Sequence, residues 1–171
     1  IGVGGYCLTK DALLASWSRQ KLIAKNNPLS QSENAISIND QMPNFAFEYL
    51  KKVYPKLKNA NILLLGVSYR GDVGDTRSTP VQLLFDKLLE VKACVSCHDP
   101  YVEYWEERQI VINKDLMYHL KNSYDIIIIS TGHSLYKDRK IIDKLLSLKS
   151  ILIYDTIGLL NMDQIKTLKE K

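Results

Sequence analysis

The amino-acid sequence predicts an α/β protein, a helical segment followed by a doubly wound parallel-sheet domain. Three observations predict it. Short apolar runs of strand length (NILLLGV, ACVSCHD, DIIIIS, ILIYDT) recur from residue 61 onward, as strands covered on both faces do. Helical stretches separate them, the alternation that builds a parallel sheet. Residues 12–58, in contrast, carry their apolar side chains at helical spacing throughout.

Each element follows in order. ALLASWSRQKLIAK (12–25) reads as a helix that stops before Asn26-Asn27-Pro28. Ser30 with Glu33 forms a capping-box signature for a second helix running to about Lys58. Pro43 is expected to kink that helix or split it in two. The rhythm changes near Asn59, which divides the chain into 1–58 and 59–171. NILLLGV is the first strand, and the loop YRGDVGDTRS follows it. A helix then runs from Thr79 to about Val91, and ACVSCHD is the second strand. QIVIN is a third short strand and 114–122 a helix. DIIIIS, a helix over 138–149 and ILIYDT complete the domain.

Composition narrows the partners. The chain has 171 residues, a formal net charge of +4 and well-mixed charges, enough length for a sizeable core and no signature of disorder. Its lysines form no dense stripe, so no nucleic-acid partner is expected. No apolar run is long enough to cross a bilayer, so no membrane partner is expected either. Cys7, Cys94 and Cys97 make no even-numbered disulfide framework, which points to a reducing, cytoplasmic compartment. Cys94 and Cys97 lie three apart in a strand and therefore on opposite faces, without a second ligand pair. No metal site is expected.

Two loops carry the candidate chemistry. In GVGGYCLTKD (2–11), glycines let the backbone approach a ligand closely, and a thiol follows them. Lys10 supplies a positive charge nearby, and Asp11 lies one helical turn beyond Cys7. On chemistry alone Cys7 is either a packed thiol or a nucleophile. An α/β sheet binds ligands at the carboxyl ends of its strands, which singles out the loop after NILLLGV. That loop lacks G-x-G-x-x-G and offers Tyr69, Arg70, Asp72, Asp75 and Arg77. Its arginines and the helix start at Ser78-Thr79 suit phosphates; equally, Asp75 and Arg77 could pair to fix the loop.

Four ordered motifs then resemble the UDP-glucose/GDP-mannose dehydrogenase family. GVGGYCLTKD is similar to its GxGGxCxxKD loop. IND-x-MP (38–43) is similar to a segment of its central helical region. GVSYRGDVGDTRSTP (66–80) resembles its G-x-x-[FY]-K-x-[DN]-x-x-D-x-R-x-[ST]-P loop, and HDPYV (98–102) its DPY segment. The resemblance covers essentially the whole chain. It implies a Rossmann-like nucleotide-sugar-binding domain at 59–171 and, at 1–58, the end of the catalytic loop with a helical segment that forms a homodimer. It implies NAD as cofactor and oxidation of a nucleotide-sugar C6 alcohol to a uronate.

Residue by residue, the resemblance makes Cys7 the nucleophile and Asp11 the residue that positions water. Gly4 and Leu8 would line the sugar-nucleotide site, and Tyr69 and Arg70 would meet the pyrophosphate or sugar. Lys10 and Arg77 would border NAD. Arg70 stands where the family has lysine, keeping charge but changing geometry. YDTIGLL places Ile157 where many members carry an arginine near the sugar. The family's N-terminal NAD domain has no counterpart here, and the chain opens inside the cysteine loop. The expectation is a fragment, or the product of a truncated gene, without turnover on its own.

Overall fold

The computed structural model describes residues 1–23 and 27–169. Helix α1 spans Tyr6–Ser18 and continues as a π-helical turn, Arg19–Ile23. It starts six residues earlier than its apolar pattern predicts, so Cys7 sits in the first helical turn. The predicted helix end at Lys25 and stop at Asn26 lie outside the described residues.

Helix α2, Ser30–Val53, is a single element with Pro43 inside it. The predicted split does not occur. Pro43 is buried on the same face as Ala46, Phe47 and Leu50, and packing of that stripe offsets the lost backbone hydrogen bond. The capping box does not form either. The helix N-cap is Leu29, without a side-chain cap. The Glu33 carboxylate instead accepts a hydrogen bond from the Ser16 hydroxyl of α1, tying the two helices together.

From Asn61 the chain builds a four-stranded parallel sheet in the order β2–β1–β5–β6. Its strands are β1 (Asn61–Leu65), β2 (Cys94–His98), β5 (Ile126–Ile129) and β6 (Leu152–Asp155). Strands β3 (Tyr104–Trp105) and β4 (Ile110–Val111) form a small antiparallel hairpin beside it, so QIVIN extends no main sheet. Side chains of β1 alternate between two cores, as a period of two requires. Ile62 and Leu64 pack with Phe47 and Leu50 of α2 and with Leu84, Phe85 and Leu88 of α3 (Val81–Glu90). Leu63 and Leu65 pack with Leu116 of α4 (Leu116–His119) and with Ile142 and Leu145 of α5 (Arg139–Ser147). Coverage on both faces explains why NILLL and IIII are unbroken apolar runs; each buried Leu or Ile contributes about 2 kcal/mol.

A last helix, α6 (Met162–Lys169), has no counterpart in the sequence reading; its amphipathic turn follows β6 and covers the second core through Ile165 and Leu168. Among the described residues no helix is long and apolar enough to cross a membrane. Chain order reverses between β1 and β5. The crevice at their carboxyl ends is therefore the place where this architecture exposes a ligand site.

Candidate functional site

Two loops meet beyond the carboxyl end of β1. The first, residues 66–80 after β1, is anchored from beneath by Asp99, which is fully buried at the end of β2. Asp99 Oδ2 accepts hydrogen bonds from the backbone N–H of Val67 (2.9 Å) and Ser68 (3.1 Å) and from His133 Nε2 (3.0 Å). Its Oδ1 accepts from the N–H of Tyr101 (2.9 Å) and Val102 (3.2 Å). Burial alone would raise the Asp99 carboxyl, but His133 and the backbone donors hold it below the ordinary carboxylate value. One carboxylate thus joins the loops after β1, β2 and β5.

His133, also fully buried, completes the anchor. Its Nδ1 accepts the Asp72 N–H at 2.9 Å while Nε2 faces Asp99. These partners select the neutral tautomer protonated at Nε2. The Asp72 carboxylate accepts from Ser134 N–H (2.8 Å) and Ser134 Oγ (2.5 Å), and the Ser134 bonds hold it below its usual value. Beside this cluster, Tyr136 Oη lies 2.8 Å from His98 Nδ1. Burial lowers the His98 imidazole to about 4.

The second loop, Gly2–Gly5, leads into α1 and lies between α2 and the first loop. On one side Asn39 grips the backbone of Val3: its Oδ1 accepts the Val3 N–H (2.6 Å) and its Nδ2 donates to the Val3 carbonyl (2.8 Å). On the other side a Cβ on Gly4 would stand 2.6 Å from the Ser78 carbonyl oxygen and 2.7 Å from Tyr69 Cβ. Gly5 adopts φ +87° and would press a Cβ to 2.9 Å from the Tyr69 ring. The missing side chains of Gly4 and Gly5 let this loop pack on the arginine-bearing one.

The result is a cleft of about 480 Å³ lined by the Gly2–Leu8 segment, Tyr69, Arg70, Asp75 and Arg77. Cys7 is exposed in it. Arg70 lies 6.0 Å from the Tyr69 ring centroid. Arg77 pairs through two nitrogens with Asp75 (Nε–Oδ1 3.0 Å, Nη2–Oδ2 2.7 Å), so the loop-fixing pair forms while the arginine still borders the cleft. That contact holds the Asp75 carboxyl below its ordinary value. Lys10 and Asp11 form an exposed ion pair on α1; the Asp11 carboxylate holds the Lys10 ammonium above its usual value. Neither lines the cleft wall. Ile157 lies outside it, against Gly132.

Of the eight expected site residues, the structure gathers Gly4, Cys7, Leu8, Tyr69, Arg70 and Arg77 at one cleft. Lys10 and Asp11 follow on the helix that carries the thiol. Sequence reading assigned no work to Asn39, Asp99 or His133. Asn39 and Asp99 fell inside quoted motifs, which was the available signal. His133 stood in no motif and was reachable only through the fold. Cys94 is exposed and Cys97 buried, as opposite strand faces require, and burial pushes the Cys97 thiol up to about 12.

Comparison with known proteins sets this geometry in context. The profile of the UDP-glucose/GDP-mannose dehydrogenase family, UDP binding domain, matches residues 63–162. UDP-N-acetyl-D-mannosamine dehydrogenase of Methanocaldococcus jannaschii is 30% identical over 165 residues, covering 95% of this chain and 36% of that protein. UDP-glucose 6-dehydrogenase 2 of Arabidopsis thaliana is 33% identical over 120 residues, 67% of this chain and 24% of the relative. Among solved structures, the UDP-D-ManNAc dehydrogenase from Pyrococcus horikoshii superposes with TM-score 0.73 at 29% identity, over 95% of this chain and 36% of that one. The NDP-N-acetyl-D-galactosaminuronic acid dehydrogenase from Methanosarcina mazei gives 0.79 at 25% identity, over 98% and 37%. The chain thus covers between 24% and 37% of the length of these relatives.

Proposed function

Because this chain belongs to the UDP-glucose/GDP-mannose dehydrogenase family, we propose that its cleft is the nucleotide-sugar site of an NAD-dependent 6-dehydrogenase. That enzyme converts the C6 alcohol of a UDP- or GDP-sugar to a uronate. The observation that carries this reading is the exposed thiol of Cys7 in one cleft with Tyr69, Arg70 and Arg77. A thiol at the start of a helix, in one cleft with two guanidinium groups, is suited to act as a nucleophile on a polyanionic substrate.

In this reading Arg70 and the Tyr69 ring hold the pyrophosphate end, and Gly4 and Leu8 line the sugar. Cys7 adds to the C6 aldehyde to give a thiohemiacetal. Loss of hydride leaves a thioester, which water, oriented by Asp11, hydrolyses to the carboxylate and the free thiol. NAD, when bound, accepts the hydride of each of the two oxidations. The residues present fit one edge of it: Lys10 and Arg77 are exposed cations suited to its phosphates. As a separate 171-residue polypeptide the chain would bind without turnover. The names of the relatives, together with Ile157 in place of an arginine, favour an N-acetylated UDP-hexosamine as substrate. Three free cysteines support a cytoplasmic setting.

A second reading has its own support. Ile38, Phe45, Tyr49 and Val53 are all exposed on α2, and their spacing places them on one face. They favour a homodimer paired through α2, which a non-catalytic nucleotide-binding or dimerisation module would also use. Mass in solution tests the pairing.

Calorimetry tests the site. UDP-N-acetyl-D-mannosamine is expected to bind the chain and Arg70→Ala to weaken it about tenfold, the scale of one charge-assisted contact. No heat with UDP- or GDP-sugars would sink the nucleotide-sugar reading. Sustained NADH production by the chain itself, dependent on Cys7, would overturn the expectation of inactivity.

A further inference from the structure

We propose that Asn39 is a positioning residue for the cysteine loop, an amide clamp that fixes where the Cys7 thiol stands. The inference rests on the nucleotide-sugar reading of the cleft. Its starting point is the IND-x-MP segment, which that reading leaves without a task.

Helical spacing puts Asn39 on the face that carries Pro43, Ala46, Phe47 and Leu50. Further along α2 that stripe is apolar and seats the helix on the sheet domain. At Asn39 it passes beyond the core and meets the glycine loop, and the residue there is polar. An amide side chain presents an acceptor and a donor side by side, the complement of the N–H and C=O of a single residue. Asn39 uses both on Val3, at 2.6 and 2.8 Å, across 36 residues of sequence. A hydrated surface asparagine would make neither contact.

The clamp acts on the thiol through a short path. Val3 precedes Gly4 and Gly5, which lie against Ser78 and Tyr69. Thr9 Oγ1 donates to the Gly5 carbonyl at 2.8 Å and joins the loop to the first turn of α1, where Cys7 sits. Gly4 and Gly5 have no side chains with which to resist sliding over Tyr69. The Asn39 bonds supply that resistance from the opposite side. Loss of both frees the loop, and the thiol no longer holds one position relative to Arg70 and Arg77.

The test uses the whole chain and two variants, Asn39→Ala and Asn39→Asp. Without ligand, amide hydrogen exchange of the peptide 1–8 reads the clamp. Asn39→Ala is expected to speed exchange there about tenfold, the worth of two hydrogen bonds. Asn39→Asp, which keeps the acceptor and loses the donor, is expected to fall between. With ligand, the rate of Cys7 alkylation by iodoacetamide is followed, with exposed Cys94 as the reference thiol in the same molecule. UDP-N-acetyl-D-mannosamine is expected to shield Cys7 in the parent chain, and Asn39→Ala to raise the concentration needed about tenfold, while thermal unfolding moves little.

A purely structural role would lower the unfolding temperature and leave the shielding concentration and the exchange of peptide 1–8 unchanged. That result overturns the inference. If the sugar nucleotide fails to shield Cys7 even in the parent chain, the nucleotide-sugar reading falls. The ligand-free exchange still decides the clamp: unchanged exchange in Asn39→Ala rejects it.

Discussion

The two loops that form the cleft are held in opposite ways. The arginine-bearing loop rests on a buried carboxylate with five hydrogen-bond donors around it. The cysteine loop is held by two hydrogen bonds to Asn39 near the surface, by one from Thr9 and by glycine contacts with Tyr69 and Ser78. Inside the protein, each polar group that loses its partner carries the full cost of desolvation; at the surface water replaces the partner. The first loop is therefore coupled to the stability of the whole domain, whereas the second can be loosened while the domain stays folded. A cleft built in this way keeps its arginine-bearing arm fixed and leaves its thiol adjustable.

Substitutions can break that contrast at several depths. Asp99→Ala strips the acceptor from five donors and is expected to be the largest effect, about 4 kcal/mol or more. In a chain of this size that is on the order of 10 °C in the unfolding temperature, measurable by calorimetry. The loop after β1 should lose hydrogen-exchange protection together with the global fold.

Acid acts on the same region. The His98 imidazole lies at about 4 in the folded chain against an ordinary 6.5. The unfolded chain therefore binds the proton first as pH falls, and stability declines between about pH 6.5 and 4 by about 3 kcal/mol in all. Asp99, held below its ordinary value, adds to the loss at lower pH. Urea unfolding at a series of pH values measures the slope, and His98→Gln is expected to flatten it above pH 4.

Gly4→Ala addresses the other loop. Its Cβ would meet the Ser78 carbonyl oxygen at 2.6 Å and Pro80 Cδ at 2.9 Å, contacts that require backbone to move. Overpacking of this kind costs about 2 kcal/mol, and the loop can relieve it by lifting away. Sugar-nucleotide affinity should fall more than tenfold, by roughly 1.4 kcal/mol or more, with the unfolding temperature lowered by only a few degrees.

The smallest effect is expected from Asp72→Ala. It removes two exposed hydrogen bonds to Ser134 at a non-glycine residue with φ +60°, for about 1 kcal/mol or less. Equal losses from Asp72→Ala, an exposed anchor of the arginine-bearing loop, and Asp99→Ala, its buried one, would show that burial does not set the strength of a loop's anchor as argued.

The sequence by itself determined the layered α/β architecture. Apolar runs such as NILLL and IIII can be satisfied only where helices cover both faces of a sheet, and that requirement is written in a few consecutive residues. It also marked Cys7, Tyr69, Arg70 and Arg77, because glycine-flanked thiols and paired arginines are local features. Local pattern misplaced the start of α1, since residues 6–11 carry no apolar periodicity, and it assigned Glu33 to a cap that Ser16 instead claims. Only the tertiary structure decided that Gly4 and Gly5 make room for Tyr69, that Asn39 reaches Val3, and that Asp99 and His133 meet under the loop after β1. Each of these is a contact between residues more than 30 positions apart, so its partners appear only once the chain has folded back on itself and no local pattern can encode it.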